Sequence, residues 1–234
     1  KMLAARKLLA DSRQPQTTQI LRLLRDNNPE SRELAMLMIG KFRLKDMLTE
    51  VCECLNVRGL EVQAANVLES FGDEAVEELS RFFMVSSGNS TVSRKILEIM
   101  GKSGSAGNNE FLYSALWSNS RLLREAALDK LVEHNYRVSD DERDRFFQMI
   151  SEVIGIIVWN ISARVTISRH KNDLLLSALN SETARWSSFL FRLMSIVYES
   201  GSIQKIRENL ESGTVESVNF ALEMLDIVVD EALK

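Results

Sequence analysis

Glu61-Val-Gln-Ala-Ala-Asn-Val-Leu-Glu-Ser-Phe-Gly72 is the stretch that decides the fold of this chain. Its apolar residues recur at helical spacing and a glycine closes it, which predicts a short amphipathic helix. Related stretches end at residues 40, 101 and 132, so the four copies follow a period of about 30 residues. A fifth copy, Val215 to Asp226, returns after a long interruption. Because a helix of this length is not stable alone, each copy must share its apolar stripe with neighbouring helices, as in a helical repeat array.

A second helix is predicted between successive copies, running antiparallel to the copy before it. These second helices are predicted over residues 45–56, 73–86 and 107–117. In the first copy, Asn28 is a good N-cap residue, Pro29 suits the first helical position, and Gly40 is the expected left-handed residue at the end. Over residues 17–137 this alternation resembles HEAT repeats. The resemblance implies an all-α fold, an armadillo-like α-solenoid of stacked HEAT-like helix pairs.

The pattern changes near residue 138, where we expect a domain boundary. Ser139 and Glu142 have the spacing of a capping box and are expected to open a long helix over about 140–168. The middle of that helix is apolar on several sides, so we expect it to be buried. The remaining helices are predicted at 172–179, at 182–199 with Ser181 as its N-cap, and as a final pair at 202–210 and 215–233. The sequence thus predicts HEAT-like repeats in residues 1–138 and an irregular helical C-terminal part in residues 139–234, ending in one HEAT-like pair.

The charge of the chain is unevenly distributed. The whole chain carries −4, which does not favour a nucleic-acid-binding protein. Residues 1–45 hold ten Lys/Arg and four acids, so this part carries +6 and the remainder −10. The basic part is either a solvated face or a contact with an anionic surface, such as a membrane leaflet or a phosphate-bearing partner.

No residue pattern in the chain points to catalysis, a cofactor or a metal. Cys52 and Cys54 would project about 200° apart on a helix, so they cannot bind one metal together. We expect them to be small buried or half-buried apolar residues in a reducing compartment. His134 and His170 lie far apart, without an accompanying nucleophile pattern. Gly101-Lys-Ser-Gly104 lacks both the preceding strand and the spacing of a phosphate-binding loop. We therefore expect a protein that is not an enzyme.

Candidate contact residues for a partner are polar residues on the second helices and two arginines near Trp186. On the second helices they are Lys45, Glu50, Glu53, Glu77, Glu78 and Arg81. Arg185 and Arg192 either bind a partner or form ion pairs with nearby acids. Trp186 between them suggests a stacking site for a planar ligand, or else part of a core. The core interpretation follows from one helical apolar face made by Phe189, Leu190, Leu193, Ile196 and Val197.

The end of the chain shows a more specific resemblance. Arg185 to Glu199, followed by Ile203 to Leu210 and by Asn219-Phe-Ala-Leu-Glu-Met-Leu-Asp226, resembles the soluble tail of bacterial membrane proteins related to ATP/ADP carriers. In those proteins a transporter-like domain of the major-facilitator type precedes HEAT repeats. The resemblance implies the cytoplasmic part of a larger membrane-anchored protein. It transfers no transport or ligand residues, because neither a transport domain nor a nucleotide-binding domain is present.

The two ends also suggest a piece of a longer protein. The chain begins at Lys1 and ends within a helical pattern at Lys234. Its most apolar run, Val153 to Trp159, is too short to cross a bilayer, which needs about 20 apolar residues.

The expected function is a non-catalytic scaffold for protein interaction or regulation, without a cofactor. Its partner would be another protein or other domains of the parent chain. The alternative is a HEAT-like nucleic-acid-binding protein or DNA glycosylase, which needs a basic face with aromatic residues and a carboxylate, whereas the middle repeats carry acids. Duplex binding that survives high salt would favour that alternative. A structural spacer or dimerisation element is a third possibility.

Overall fold

The computed structural model describes residues 15–86, 90–168 and 173–229, and within these ranges the regular secondary structure is helical without a strand. Expectations that concern residues 1–14, His170 or the final helix beyond residue 229 lie outside the described part. The α-helices are, in chain order, α1 (Thr17–Leu24), α2 (Pro29–Lys41), α3 (Leu48–Cys54), α4 (Glu61–Phe71), α5 (Val76–Val85), α6 (Ser90–Met100), α7 (Ala106–Leu116), α8 (Arg121–Glu133), α9 (Arg143–Ser168), α10 (Asp173–Val197), α11 (Ser200–Ser212) and α12 (Val215–Val228). Short 3-10 turns precede α3, α5 and α9. The predicted all-α class is confirmed for the described residues.

The chain divides into two compact units, the first reaching to Lys130 and the second beginning at Leu131. The division falls within α8, a few residues before the boundary predicted near residue 138. That predicted boundary stays a prediction, and each unit is described by itself.

The start of α2 follows its sequence signals, but its end does not. Asn28 is the N-cap, since its side-chain oxygen accepts a hydrogen bond of 3.0 Å from the backbone N–H of Glu30, and Pro29 is the first helical residue. The prediction that Gly40 ends the helix in a left-handed conformation is wrong. Helix α2 continues to Lys41, and the left-handed residue is Arg43, with φ of +52°. The physical reason is that the side chain of Arg43 makes contacts that hold it there, whereas Gly40 is an ordinary helical residue against Val67 of α4.

In the first unit, the helices from α2 to α7 pack against their next-but-one neighbours. Helix α4 contacts both α2 and α6, while α5 contacts both α3 and α7. Helices α2, α4, α6 and α8 begin at residues 29, 61, 90 and 121, close to the predicted period. Gly72, with φ of +55°, ends α4 as predicted. The fully buried residues of this core include Ala35, Ile39, Ala64, Leu68, Ile96 and Leu97.

The second unit is built on an antiparallel hairpin of α9 and α10. Near one end, the rings of Phe147 and Tyr198 stack with centroids 6.4 Å apart. Near the other end, Nη1 of Arg164 donates a 3.1 Å hydrogen bond to Oδ1 of Asn180. The first contact joins the beginning of α9 to the end of α10, and the second joins the end of α9 to the beginning of α10. The two helices are therefore antiparallel.

Helix α10 is continuous, so the prediction of two helices with Ser181 as an N-cap is wrong. The hydroxyl of Ser181 donates a 3.0 Å hydrogen bond to the carbonyl of Ser177, one turn earlier in the same helix. A serine inside a helix can make this bond as readily as a cap bond, and no glycine or proline interrupts residues 173–197.

The predicted capping box before α9 forms only in part. Ser139 has the extended backbone of an N-cap, but its hydroxyl donates a 2.7 Å hydrogen bond to Oε2 of Glu142. The backbone N–H of Glu142 bonds to the carbonyl of Ser139 instead, at 3.1 Å. The first turn is consequently a 3-10 turn, and α9 begins at Arg143.

The expectation that the middle of α9 is buried is wrong. Phe146, Ile150 and Val153 are buried, but several apolar residues from Ile154 onward are exposed. Helix α10 covers only one side of the distal half of α9, and an apolar composition cannot bury a helix face that has no neighbour.

Glu199 is the N-cap of α11 and supports a prediction about pH. Hydrogen bonds from the hydroxyl of Ser202 and from the backbone N–H groups of Gly201 and Ser202 hold the pKa of Glu199 below its ordinary value. We expect Glu199→Gln to lower the melting temperature at neutral pH by about 2–4 °C, because a neutral side chain caps the helix less well. A lowered folded-state pKa gives stability above the unfolded pKa that is lost as pH falls, so the difference between the two proteins should shrink in acid. Melting curves over an acid-to-neutral pH series measure this, and a difference that grows in acid would contradict it.

Candidate interaction surface

The predicted contact residues of the first unit lie on or beside α3 and α5. Glu53, Glu77 and Arg81 are exposed, and Glu50 and Glu78 are half-buried. Lys45 is exposed in the 3-10 turn that precedes α3. Helices α3, α5 and α7 together contain five glutamates and one arginine, so the surface of the second helices is acidic.

Ion pairs within the protein organise part of this acidic surface. Arg81 lies 2.9 Å from a carboxylate oxygen of Glu78 and 3.4 Å from one of Glu77. Such exposed pairs contribute little to stability, about 0–1 kcal/mol each. They do restrict the side chains, so this part of the acidic surface is already partly ordered.

Arg43 makes several contacts near this surface that no sequence pattern predicted. Its guanidinium donates to the carbonyl of Ser70, donates a 2.7 Å hydrogen bond to Glu74, and lies 4.5 Å from the ring centroid of Phe71. Lys45 adds a second cation 3.2 Å from Glu74. No sequence signal identifies this cluster, because Arg43 and Glu74 are 31 residues apart.

These two cations favour the ionised form of the Glu74 carboxylate. A hydrogen bond from Lys45, followed by the charge of Arg43, holds the pKa of Glu74 below its usual range. Lys45 and Arg43 thus attach the segment that follows α2 to the 3-10 turn that precedes α5. Lys45 therefore has a structural partner within the chain as well as an exposed position.

The arginines near Trp186 lie along α10. Nε of Arg192 donates a 3.2 Å hydrogen bond to the carbonyl of Ser188, and its guanidinium lies 5.9 Å from the ring centroid of Phe189. Trp186 packs edge-on against Phe189, with ring centroids 5.8 Å apart. Trp186 and Arg185 are half-buried, while Phe189 is buried. The core interpretation is confirmed for Phe189, as it is for Leu193 and Ile196.

An apolar groove of about 480 Å³ lies within the second unit. Ile150 and Ile154 of α9, Leu190 and Met194 of α10, and Leu222 and Leu225 of α12 contribute to its walls. Asp226 is the one ionisable residue of its lining. A groove of this composition can bind an apolar side chain or ligand.

Gly101-Lys-Ser-Gly104 does not form a phosphate-binding loop. It follows the end of α6 and not a strand, and a side chain at Gly101 would overlap the side chain of Lys130. Gly101 is thus a point of tight packing. Within the described ranges, no group of three or more His, Cys, Asp or Glu residues is arranged to hold a metal ion.

Cys52 and Cys54 are buried free thiols, and burial controls their chemistry. Burial raises the pKa of the Cys52 thiol to about 12 and that of Cys54 to about 11, with nearby carboxylates adding to both shifts. We expect both to react with a thiol reagent at mildly alkaline pH at least about a hundredfold more slowly than a free cysteine, because the thiolate is the reactive form. The measurement is colorimetric thiol titration, with the denatured chain as the control that releases both thiols at once. Fast reaction of either thiol in the folded protein would contradict the burial of α3.

No protein-family model, curated protein or solved structure matches this chain.

Proposed function

We propose that the chain is a non-catalytic protein-interaction scaffold, whose first unit is an α-solenoid of HEAT-like helix pairs. The packing of α4 on α2 and α6, and of α5 on α3 and α7, carries this proposal. In a solenoid the first helices stack on first helices and the second helices on second helices. The succession α2, α4, α6 and the succession α3, α5, α7 have this relation.

The surface of α3, α5 and α7 is the proposed binding surface. Its excess of glutamates suits a basic segment of a partner protein and opposes the phosphate backbone of a nucleic acid. Because helices present the side chains on a framework that is already folded, binding costs little ordering entropy. The proposed contact residues are those predicted from the sequence in the first unit, with Glu53 and Glu77 exposed and Glu50 and Glu78 half-buried.

We also propose that the chain is the cytoplasmic part of a larger membrane-anchored protein. The resemblance of Arg185–Glu199 and Asn219–Asp226 to the soluble tail of ATP/ADP carrier-like proteins supports this context. In that case the partner is another protein or another domain of the parent chain. Sequencing the gene on both sides of this segment tests the proposal, and it fails if no run of apolar spans is found there.

Removal of one repeat tests the solenoid. Deletion of residues 61–89 joins Leu60 to Ser90 and would bring α6 against α2 in place of α4. We expect the shortened chain to stay helical and to melt cooperatively at a lower temperature, because stability in a solenoid is a sum over neighbouring repeats. The matched control deletes a segment of the same length, residues 70–98, which begins within α4 and ends within α6. Because this deletion joins parts of two different helices, the control should not fold. If both deletions unfold the chain, the first unit is a closed domain and not a solenoid.

Photo-crosslinking tests the binding surface. A photo-reactive amino acid in place of Glu53 on α3 should crosslink one protein reproducibly in cells that produce the chain. The same amino acid in place of Glu98, an exposed acid on α6, should not. Equal crosslinking from both positions would show that the acidic surface of the second helices is not the binding surface. Retention of duplex DNA at high salt would instead support the nucleic-acid alternative.

A further inference from the structure

The distal half of α9 exposes a continuous apolar stripe that the fold of the second unit leaves uncovered. Ile154, Val158, Ile161 and Val165 follow one another at spacings of four, three and four residues, so they share one face of the helix. Their exposed fractions are 38%, 55%, 39% and 54%. We call these four residues the α9 stripe. Contiguous apolar surface of this kind is uncommon on soluble proteins and marks an interaction site.

Uncharged surface extends beyond the stripe around the outward side of α9. Trp159 projects about 100° around the helix from its neighbour Val158 and is 67% exposed. Ser162 and Thr166, the residues between these directions, are small and uncharged. The one charged side chain of residues 153–168, Arg164, bonds to Asn180 of α10. The uncharged surface is thus wider than the narrow seam that a single partner helix would cover.

The charge of this region differs in sign from that of the whole chain. From Arg164 to Asn172, at the end of α9 and directly after it, the sequence contains Arg164, Arg169 and Lys171 and no acid, while the whole chain carries −4. Arg169 and Lys171 lie outside the described residues, and only their positions in the sequence are used. A basic, otherwise uncharged region is attracted to anionic lipid headgroups and repels a second copy of itself.

We propose that the α9 stripe docks on the surface of an anionic phospholipid bilayer, with α9 lying in the plane of the interface. Apolar side chains would enter the boundary between headgroups and acyl chains, where tryptophan is also favoured. Helix α9 does satisfy a length and composition test for a membrane span. However, its run without charge, residues 153–163, is about 16 Å long at 1.5 Å per residue, roughly half the hydrocarbon thickness. An interfacial position therefore fits better than a span. This inference does not depend on the proposed scaffold function.

Vesicle flotation of the full chain tests the docking. We expect the chain to float with vesicles of equal parts phosphatidylcholine and phosphatidylserine, and far less with phosphatidylcholine alone. Val158→Asp combined with Val165→Asp should reduce the bound fraction by about tenfold or more. Each change removes an apolar side chain that would enter the bilayer and adds a charge. The matched control is Val62→Asp combined with Val85→Asp, two exposed valines of the first unit, which should bind like the unaltered chain.

Fluorescence of Trp159 reports the same contact directly. In a chain with Trp117→Phe and Trp186→Phe, anionic vesicles should shift the emission to shorter wavelength, as an exposed indole enters an apolar boundary. Circular dichroism should show that the substitutions at Val158 and Val165 leave the helices intact. If the aspartate pair loses helix, Val158→Ser combined with Val165→Ser is the milder pair to test.

Three results would overturn the proposal. One is that the Val158/Val165 double variant binds vesicles as well as the unaltered chain does. Membrane contact would then lie in another part of the chain, for example in the basic N-terminal residues. Another is equal binding to neutral and anionic vesicles. The last is a vesicle-free dimer, detected by light scattering, that the double variant abolishes, because the stripe would then bind a second copy.

Discussion

Leu97→Asp is expected to abolish the cooperative unfolding transition of the first unit. Leu97 is completely buried in α6, which contacts α4, α5 and α7. Loss of a buried leucine costs about 2–5 kcal/mol by itself, and a buried carboxylate without a partner adds several more. The sum is comparable with the whole stability of a typical domain, about 5–15 kcal/mol. Phe71→Asp, at the buried end of α4, is expected to have the same effect.

Leu37→Asp is the matched control for this prediction. Leu37 lies on α2 and is 62% exposed, so the same chemical change should leave the melting curve nearly unchanged. Far-UV circular dichroism with temperature measures both variants. A normal melting curve for Leu97→Asp would mean that the helix register of the first unit is wrong.

Phe146→Ala is expected to destabilise the second unit by about 3–5 kcal/mol, because the ring is fully buried near the start of α9 and its removal leaves a cavity. The matched change is Trp159→Ala, at an exposed position on the distal half of the same helix. In the absence of membranes it should alter the unfolding free energy by no more than about 0.5 kcal/mol. Urea unfolding followed by circular dichroism compares the two variants.

This pair of variants decides between the sequence expectation and the structure. If α9 were buried along its length, both aromatic truncations would be strongly destabilising. A large loss for Trp159→Ala in the isolated chain would therefore restore the expectation of a buried helix. A small loss supports an outward face that is free to meet another surface.

The errors of the sequence analysis concern choices that local patterns leave open. Gly40 and Arg43 can both follow the end of α2, and the contacts of Arg43 with Ser70, Phe71 and Glu74 select the left-handed position. Ser181 is compatible with a helix start and with a helix interior, and α10 is continuous through it. For Arg43 the deciding contacts come from residues distant in the sequence, whereas the hydroxyl of Ser181 bonds one turn back within α10 itself.

The sequence by itself determined the all-helical class, the positions of α1 to α8, the long helix α9 and the final pair, since apolar spacing, caps and glycines act within a few residues. It also indicated the burial of Cys52 and Cys54 and the core face of α10 around Phe189. Only the tertiary structure decided which apolar residues of α9 are covered. Phe146 and Trp159 lie in the same apolar pattern, yet one is buried and the other exposed, because burial depends on whether a neighbouring helix reaches that part of the surface.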